Sequence, residues 1–296
     1  MSKVLVVGAT GLLGRPVARA LETEGHELHR ASRSLETSSA SHRLDLSDVV
    51  ETEQTLNAVR PDVVIQMTGG VTRDPVRLAQ INIVPTVNLI TAASRSVGRP
   101  AIFVTGSAAE YGDPGEGMAS EDSTLHPLSP YGWAKLAETA TAAELARIHG
   151  LHLTIVRPFN PVTPELPETT ALGNFRRQVL TGSGRVRKIV CGRVDVMRDF
   201  VTGTFLGQAM VELVRNPPGG IVNLCSGVSV RLEAVMRAAA SLLDVEIELE
   251  EDPVLAGLPA PAVIVGDPAR LHALITARAD STPESLALEL IGPSSS

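Results

Sequence analysis

A strand-like run, a glycine-rich turn and a helix-like run open this chain, and that order constrains the fold more than any other feature. Residues 3–7, Lys-Val-Leu-Val-Val, are apolar and β-rich. Gly8-Ala9-Thr10-Gly11-Leu12-Leu13-Gly14 follows, and residues 15–24 read as helix. The first glycine permits a tight turn, the second lets backbone approach a pyrophosphate, and the third lets helix and strand pack closely. An anion can then rest on the helix N-terminus, where unpaired N–H groups and the dipole favour it. The spacing is Gly-x-x-Gly-x-x-Gly rather than Gly-x-Gly-x-x-Gly. A plain turn is the competing reading; the strand before it and the helix after it favour a nucleotide.

The alternation continues. Residues 27–31 read as a second strand ending in Ser32-Arg33, with no acid. An acid at that place bonds the ribose 2′-OH of NAD, whereas a hydroxyl and a guanidinium suit the 2′-phosphate of NADP. NADP(H) is therefore the expected cofactor, with NAD(H) the alternative. Residues 42–46 read as a short third strand. Asp45 at its end fits two uses, a contact to adenine or a cap for a helix from Asp48 onward. Residues 61–67 form a strand buried on both faces, which runs into Thr68-Gly69-Gly70. A helix over 79–94 carries Asn82, and a strand over 101–105 leads into Gly106-Ser107-Ala108-Ala109-Glu110-Tyr111-Gly112. A serine at the C-terminal end of a parallel strand lies on the ligand side of such a sheet. A surface loop (113–130), a helix (131–150) and a strand (151–156) complete the half. Strands alternating with helices predict an α/β, Rossmann-type, doubly wound parallel sheet with right-handed crossovers.

Beyond residue 158 the composition changes, and Pro161, Pro164 and Pro167 mark a loop. Helices are expected over 173–180, 202–214, 232–243 and 270–276, strands over 222–224 and 246–250, and a frayed tail over 293–296. Asn174, Arg176, Arg177 and Gln178 offer substrate contacts on the first of these helices. The division expected is a nucleotide-binding domain at 1–158 and a smaller C-terminal substrate-binding lobe at 159–296, with segments near 195–225 returning to the sheet.

A net charge of −7 over 296 residues leaves no basic footprint for nucleic acid. No apolar run is long enough to span a bilayer, so no membrane is expected. The first residues enter a strand without a signal-peptide pattern, and Cys191 and Cys225 lack metal-ligand spacing. A cytoplasmic enzyme without metal is the expectation.

Tyr131-Gly132-Trp133-Ala134-Lys135 places a phenol and an ammonium on one helical face. The nearby charge favours phenolate and makes the phenol a proton donor or acceptor near neutral pH. The chain has three lysines, Lys3, Lys135 and Lys188, among 26 basic residues, so a lysine kept here stands out.

Taken in order, Gly8/Gly11/Gly14, Asp45-Leu46, Pro61-Asp62-Val63-Val64, Asn82, Ser107 before Tyr111-Gly112, Pro130-Tyr131 with Lys135, Arg157-Pro158-Phe159-Asn160 and Arg198-Asp199-Phe200 resemble the extended short-chain dehydrogenase/reductase family, also called the NAD-dependent epimerase/dehydratase family. The likeness covers nearly the whole chain. Within the family it is greatest to the reductases of GDP-4-keto-6-deoxyhexoses, through residues 106–112, 191–200 and 265–271. The resemblance implies a catalytic set of Ser107, Tyr131 and Lys135. Ser107 would hold a substrate carbonyl, Tyr131 would protonate it as hydride arrives, and Lys135 would lower the Tyr131 pKa and bond the nicotinamide ribose. It implies cofactor contacts at Gly8, Thr10, Gly11, Leu12, Leu13, Gly14, Ser32, Arg33, Asp45, Leu46, Met67, Thr68, Gly69 and Pro158 besides Tyr131 and Lys135. It implies substrate contacts at Ser107, Ala108, Ala109, Asn160, Asn174 and Arg198. Turn formation for Asn160 and a structural salt bridge for Arg198 are the alternatives. A homodimer through two helices, one of them carrying Tyr131, is also implied.

The chain departs from the family pattern in places. Gln66-Met67-Thr68-Gly69 replaces the usual His-Leu-Ala-Ala, Arg193 stands where the reductases carry Asn, and Val201-Thr202-Gly203-Thr204-Phe205 follows Arg-Asp-Phe. The implied activity is an NADPH-dependent ketoreductase of a nucleotide-linked keto-deoxysugar. The alternatives are an epimerase with retained cofactor, a reductase of a non-sugar ketone, and a cofactor-binding regulator without chemistry. Ala108-Ala109 after the serine leaves no Asp-Glu pair for a dehydratase.

Overall fold

The computed structural model describes residues 1–115, 117–257 and 261–292. In chain order its elements are β1 (Lys3–Val7), α1 (Gly14–Thr23), β2 (Glu27–Ser32), β3 (Ser41–Arg43), α2 (Val49–Val59), β4 (Val63–Gln66), α3 (Pro75–Arg95), β5 (Ala101–Thr105), a short 3₁₀ turn (Ala108–Glu110), α4 (Pro130–His149) and β6 (Leu153–Pro158). The second half carries β7 (Pro161–Val162), α5 (Ala171–Thr181), β8 (Val186–Cys191), β9 (Met197–Arg198), β10 (Val201–Thr202), α6 (Gly203–Arg215), β11 (Gly220–Leu224), β12 (Val230–Arg231), α7 (Leu232–Leu242), β13 (Glu246–Glu251), α8 (Pro253–Ala256), β14 (Val263–Ile264), α9 (Ala269–Leu274) and α10 (Pro283–Ile291).

Seven strands form one parallel sheet in the order β11-β6-β5-β4-β1-β2-β3. Its central strands are apolar on both faces, so each face needs a layer of helices. Val4, Val6, Ile65, Phe103 and Val156 point to one side, where α1 and α6 pack with Val17, Leu21, Phe205 and Met210. Leu5, Val7, Val64, Ile102 and Val104 point to the other, against α2, α3 and α4 through Leu56, Leu89, Ile90 and Ala142. This is the doubly wound arrangement expected. All seven strands run the same way, so their carboxyl ends meet along one edge of the sheet, and that edge carries the site.

A second core lies in the C-terminal half. Leu172, Phe175 and Val179 of α5, Val235 and Met236 of α7 and Leu286, Ala287 and Leu290 of α10 share it with Ile189 and Phe200. Short pairings surround it: β13 with β8, β10 with β7, and β12-β9-β14. Among the described residues no helix is long and apolar enough to cross a membrane.

Several boundaries differ from expectation, each for a local reason. The third strand stops at Arg43, and Leu44 and Leu46 turn inward to be buried. Helix α3 begins at Pro75 because Asp74 accepts from the Val76 and Arg77 N–H groups. Strand β6 begins two residues late because Gly150, at φ 59, and Leu151 return hydrogen bonds to Arg147 and Ala146 and close α4 first. Helix α10 follows the helix that was expected to be last. Thr282 caps it and Pro283 opens it. The expected tail at 293–296 lies outside the described residues.

Leu286 and Leu290 of α10 are fully buried. Leu286→Ala should therefore lower stability by about 2–5 kcal/mol in urea unfolding followed by circular dichroism. A loss below about 1 kcal/mol would remove α10 from the lobe's core.

Candidate active site

The glycine turn leaves β1 and enters α1 at the carboxyl edge of the sheet. Gly8 has φ +84, and a Cβ there would lie 2.7 Å from the Met67 carbonyl oxygen. Gly14 is closer still: a Cβ would meet the Gly8 carbonyl oxygen at 2.0 Å, so helix and turn could not touch. Gly11 differs from both. Its φ is ordinary, and a Cβ would approach only the Gly8 oxygen at 3.2 Å and the Met67 oxygen at 4.0 Å. The first and third glycines thus serve packing outright, whereas a side chain at the second would press on the Gly8 carbonyl without overlapping it. Helix α1 has no side-chain cap and no acid in its first turn, whereas Asp48, Asp74 and Ser129 cap α2, α3 and α4. The Arg15 N–H is taken by the Gly11 carbonyl at 3.1 Å and Pro16 has no N–H, so among the described residues the N–H groups of Leu12, Leu13 and Gly14 are the ones left for an anion.

Strand β2 ends beside this turn. Ser32 Oγ lies 3.1 Å from Ser34 Oγ, which lies 3.5 Å from Thr10 Oγ1. Arg33 between the two serines is exposed and, among the described residues, forms no ion pair. Three hydroxyls therefore gather at the end of β2, with Arg33 exposed in the same turn. Ser34 was not anticipated; its only sequence signal is the Ser-x-Ser spacing around Arg33. Asp48, not Asp45, caps α2. Asp45 accepts instead from the Ser47 N–H at 2.9 Å. That bond is the chief reason its carboxyl lies below the ordinary range, with Arg33 and Arg77 adding to it. Leu13, Met67, Thr105 and Pro158 line a small apolar crevice at the same edge. A roomier hollow of about 400 Å³ lies by Lys3, Gly25 and Asp62, at the opposite ends of the strands from the glycine turn.

The turn after β5 carries Ser107. Its Oγ accepts from the Ala109 N–H at 3.1 Å, and its own N–H donates to Glu110 Oε1 at 2.8 Å. This reciprocal capping box fixes the serine and leaves its hydroxyl proton to donate elsewhere. Glu110 is fully buried. Its Oε2 accepts from Thr139 at 2.8 Å and from Arg157 Nε at 3.0 Å, with Arg157 Nη2 at 2.8 Å. Gly132 lets α4 press onto this turn, since a Cβ there would sit 2.5 Å from the Ala109 carbonyl oxygen. Ala108 is buried beneath the same turn. Ser107 and the N-terminal end of α4, which bears Tyr131, are thereby brought together.

The chain has two tyrosines. Tyr111 has no exposed surface; its hydroxyl donates to Asn223 Oδ1 at 2.6 Å and accepts from Arg157 at 3.0 Å. Burial pushes its pKa up. Tyr131 is half-buried and is the phenol left to meet a ligand. Lys135, one turn on, is buried at 2% exposure. Its Nζ donates to the Thr105 carbonyl at 2.5 Å and to Glu138 Oε2 at 2.7 Å. Burial opposes its charge, but Glu138, Tyr131 and Glu110 together outweigh that and raise its pKa, while burial pushes the Glu138 carboxyl up against the pull of Lys135. Asn82 holds the loop opposite, donating to the Gly70 carbonyl and accepting from the Gly70 N–H, both at 3.1 Å. Gly69, at φ +135, leaves no side chain between Asn82 and Lys135. Thr68 belongs to the same loop and accepts from Gln66 Nε2 at 3.0 Å.

On the substrate side the anticipated residues divide. Asn160 takes a positive φ of 23, and its Nδ2 donates to the Asp199 carbonyl at 2.7 Å, which ties β6's exit to the Arg198-Asp199-Phe200 segment. Asp199 is buried and accepts from the Ser226 N–H and hydroxyl and from the Gly227 and Gly266 N–H groups. Arg198 pairs with no carboxylate among the described residues; its Nη1 donates to the Met197 and Ala262 carbonyls. Burial, then the charge of nearby Arg193, lowers its pKa. Asn174 points its amide into the lobe, donating to the Val190 carbonyl at 3.3 Å and accepting from Arg177 at 2.9 Å. No group of three or more His, Cys, Asp or Glu among the described residues could hold a metal.

A family model described as the NAD dependent epimerase/dehydratase family matches residues 4–225. A GDP-6-deoxy-D-mannose reductase of Pseudomonas aeruginosa is 28% identical over 222 residues, 72% of this chain and 73% of the relative. The solved structure of RMD from Pseudomonas aeruginosa complexed with NADPH superposes with a TM-score of 0.84 at 24% identity, over 98% of this chain and 97% of that one. The Thermus thermophilus UDP-glucose 4-epimerase complex with NAD gives 0.83 at 22% identity, over 97% of both. The glycine turn and the uncapped α1 fit a nicotinamide nucleotide.

The three glycines can be told apart by experiment. Gly11→Ala should weaken nicotinamide-nucleotide binding in fluorescence titration by about tenfold or more while lowering stability by less than about 1 kcal/mol. Gly14→Ala should lower stability by about 2 kcal/mol or more in thermal unfolding. The reverse order would contradict the difference between a tight contact at Gly11 and an overlap at Gly14.

Proposed function

The chain belongs to the NAD-dependent epimerase/dehydratase family, and from that premise we propose that it is an NADPH-dependent ketoreductase. Its substrate is a nucleotide-linked 4-keto-6-deoxyhexose. The observation that carries this reading is the meeting of Ser107, Tyr131 and Lys135 at one edge of the sheet, with Tyr131 the one tyrosine not locked in the core. The relative named GDP-6-deoxy-D-mannose reductase supports the substrate class, and the NADPH-bound structure supports the cofactor. The hydroxyl cluster of Thr10, Ser32 and Ser34 around Arg33 supports NADPH over NADH.

A bound nicotinamide nucleotide supplies the hydride. Ser107, with its lone pair engaged by the Ala109 N–H, directs its proton at the ketone oxygen and holds it beside Tyr131. Tyr131 gives its phenolic proton to that oxygen as negative charge develops there. Lys135 stabilises the phenolate left behind and keeps a further donor for a ribose hydroxyl. Arg198, whose Nε and Nη2 have no partner among the described residues, offers two parallel donors to a diphosphate. Asn160 Oδ1 has no hydrogen-bond partner among the described residues and suits a sugar hydroxyl. A homodimer through α3 and α4 accounts for the exposed Val84 and Trp133 on those helices.

The reading is tested by adding NADPH, or NADH, and a panel of GDP- and dTDP-4-keto-6-deoxyhexoses to the purified protein and following reduced-nicotinamide absorbance. Stoichiometric loss of NADPH with one sugar is expected. No loss, with cofactor retained through purification, would mean an epimerase; no loss and no retained cofactor would mean a non-sugar ketone. Tyr131→Phe should cut turnover by about 10²-fold or more and leave the NADPH Kd unchanged. Arg33→Ala should weaken NADPH by about tenfold or more and spare NADH; equal losses would remove Arg33 from the 2′-phosphate.

A further inference from the structure

Glu138 lies one helical turn beyond Lys135 and has no exposed surface. Nothing in its sequence context distinguishes it from a surface glutamate. We propose that Glu138 is the positioning residue of Lys135: its carboxylate fixes the direction of the ammonium and offsets its charge at the Tyr131 phenol. The use of Tyr131 rests on the reductase reading above; the geometry does not.

The ammonium needs such a constraint. A lysine side chain is long and free to turn about four bonds, and its charge would otherwise sweep a wide volume. Nζ has three donors. One is held by the Thr105 carbonyl at 2.5 Å and one by Glu138 Oε2 at 2.7 Å, so the direction of the third is set. The site side of Nζ is kept clear by Gly69, where even a Cβ would lie 3.8 Å away.

Glu138 is itself held. Gln66 Nε2 donates to Thr86 Oγ1 at 2.8 Å, and Thr86 has a single proton to give. Its nearest acceptor is Glu138 Oε1 at 2.7 Å, ahead of Gln66 Oε1 at 3.0 Å and the Asn82 carbonyl at 3.2 Å. A directed chain thus runs from β4 through α3 to the carboxylate on α4 and ends at Lys135. Gln66 is one of the departures noted in the sequence, and this chain is where it is used.

The charges around Lys135 are few. Tyr131 and Glu138 face it from α4, and Glu110 acts on it from the turn after β5. Glu110 is spent on Arg157 of β6 at 2.8 Å. From β4 and α3 come only the neutral Gln66, Thr86 and Asn82. Among the described residues Glu138 is therefore the charge that offsets the ammonium. A lone cation within about 4–6 Å of an acid favours its ionised form by about 1–3 pH units, and pairing the cation removes much of that pull.

The test needs no substrate. The tyrosinate absorbance band is followed against pH, with Tyr131→Phe as the blank that isolates Tyr131 from the buried Tyr111. Glu138→Gln keeps the shape and an acceptor for Lys135 but removes the charge. It should lower the Tyr131 midpoint by about one pH unit or more, and Glu138→Asp should restore it to within a few tenths. An unmoved midpoint in folded Glu138→Gln overturns the proposal. Should that variant fail to fold, the double variant Lys135→Met with Glu138→Gln leaves no lone buried charge. A midpoint closer to the wild-type value than that of Lys135→Met alone supports the offset, and one as high overturns it. With substrate, the alkaline limb of the pH–kcat profile should move down in Glu138→Gln. A wild-type protein that reduces no keto sugar would sink the reductase reading and leave the titration result standing.

Discussion

The site stands on the buried ion pair between Glu110 and Arg157. A carboxylate and a guanidinium taken out of water lose hydration that their attraction alone does not recover. The loss is met only when the buried polar atoms find partners, and among the described residues no buried side-chain nitrogen or oxygen is left without one. Glu110 takes the Ser107 N–H, the Thr139 hydroxyl and the Arg157 fork; Arg157 also reaches the Tyr111 hydroxyl and lies 4.8 Å over its ring. Those partners come from the turn after β5, from α4 and from β6. The pair therefore sets how three segments meet, and the relative positions of Ser107 and Tyr131 follow from it. Removing one member would leave an uncompensated buried charge, at a cost of about 3–5 kcal/mol.

The two sides of the site are specified by different means. The cofactor side is mostly backbone. It depends on a glycine that must take a positive φ, a glycine that must touch a strand end, and a helix start without a cap. The substrate side is mostly side chains, and several of them are already engaged with the lobe: Asn160 with the Asp199 carbonyl, Asn174 with Val190 and Arg177, Arg198 with two carbonyls. Backbone geometry persists across relatives with little sequence in common, which is why structures at 22–24% identity superpose at TM-scores of 0.83–0.84. Side-chain commitments vary more freely. Arg193, close enough to weigh on the Arg198 charge, is one such variation.

What could be read in the sequence follows the same line. Parallel strands buried on both faces are continuous apolar runs, and glycine turns announce their ends, so the central sheet and its helices were legible. Strands β9, β12 and β14 were not: two residues carry no period, and they exist only through pairing with distant chain. Helix α10 was hidden by its leucines, for Leu286, Leu288 and Leu290 alternate as in a strand even though Thr282, Pro283 and Gly292 punctuate a helix. In the site, glycines, the Tyr-Lys spacing and the serine at a strand end were legible because each rests on local geometry. Glu110 and Glu138 were not. Helix α4 is rich in alanine on several faces, so its inward side cannot be told from its sequence, and a buried carboxylate looks there like a solvated one.

Strand β11 bears on how the chain is made. It pairs with β6 at the end of the sheet, yet about 60 residues of the second lobe are synthesised between them. Until the ribosome has passed Leu224, β6 presents a row of unpaired N–H and C=O groups, and the face that α6 will cover stays open. Unpaired edges and bare apolar faces are what nascent chains aggregate through and what chaperones bind. The first half of this protein is thus committed to wait, during translation, for a strand encoded well beyond Lys135.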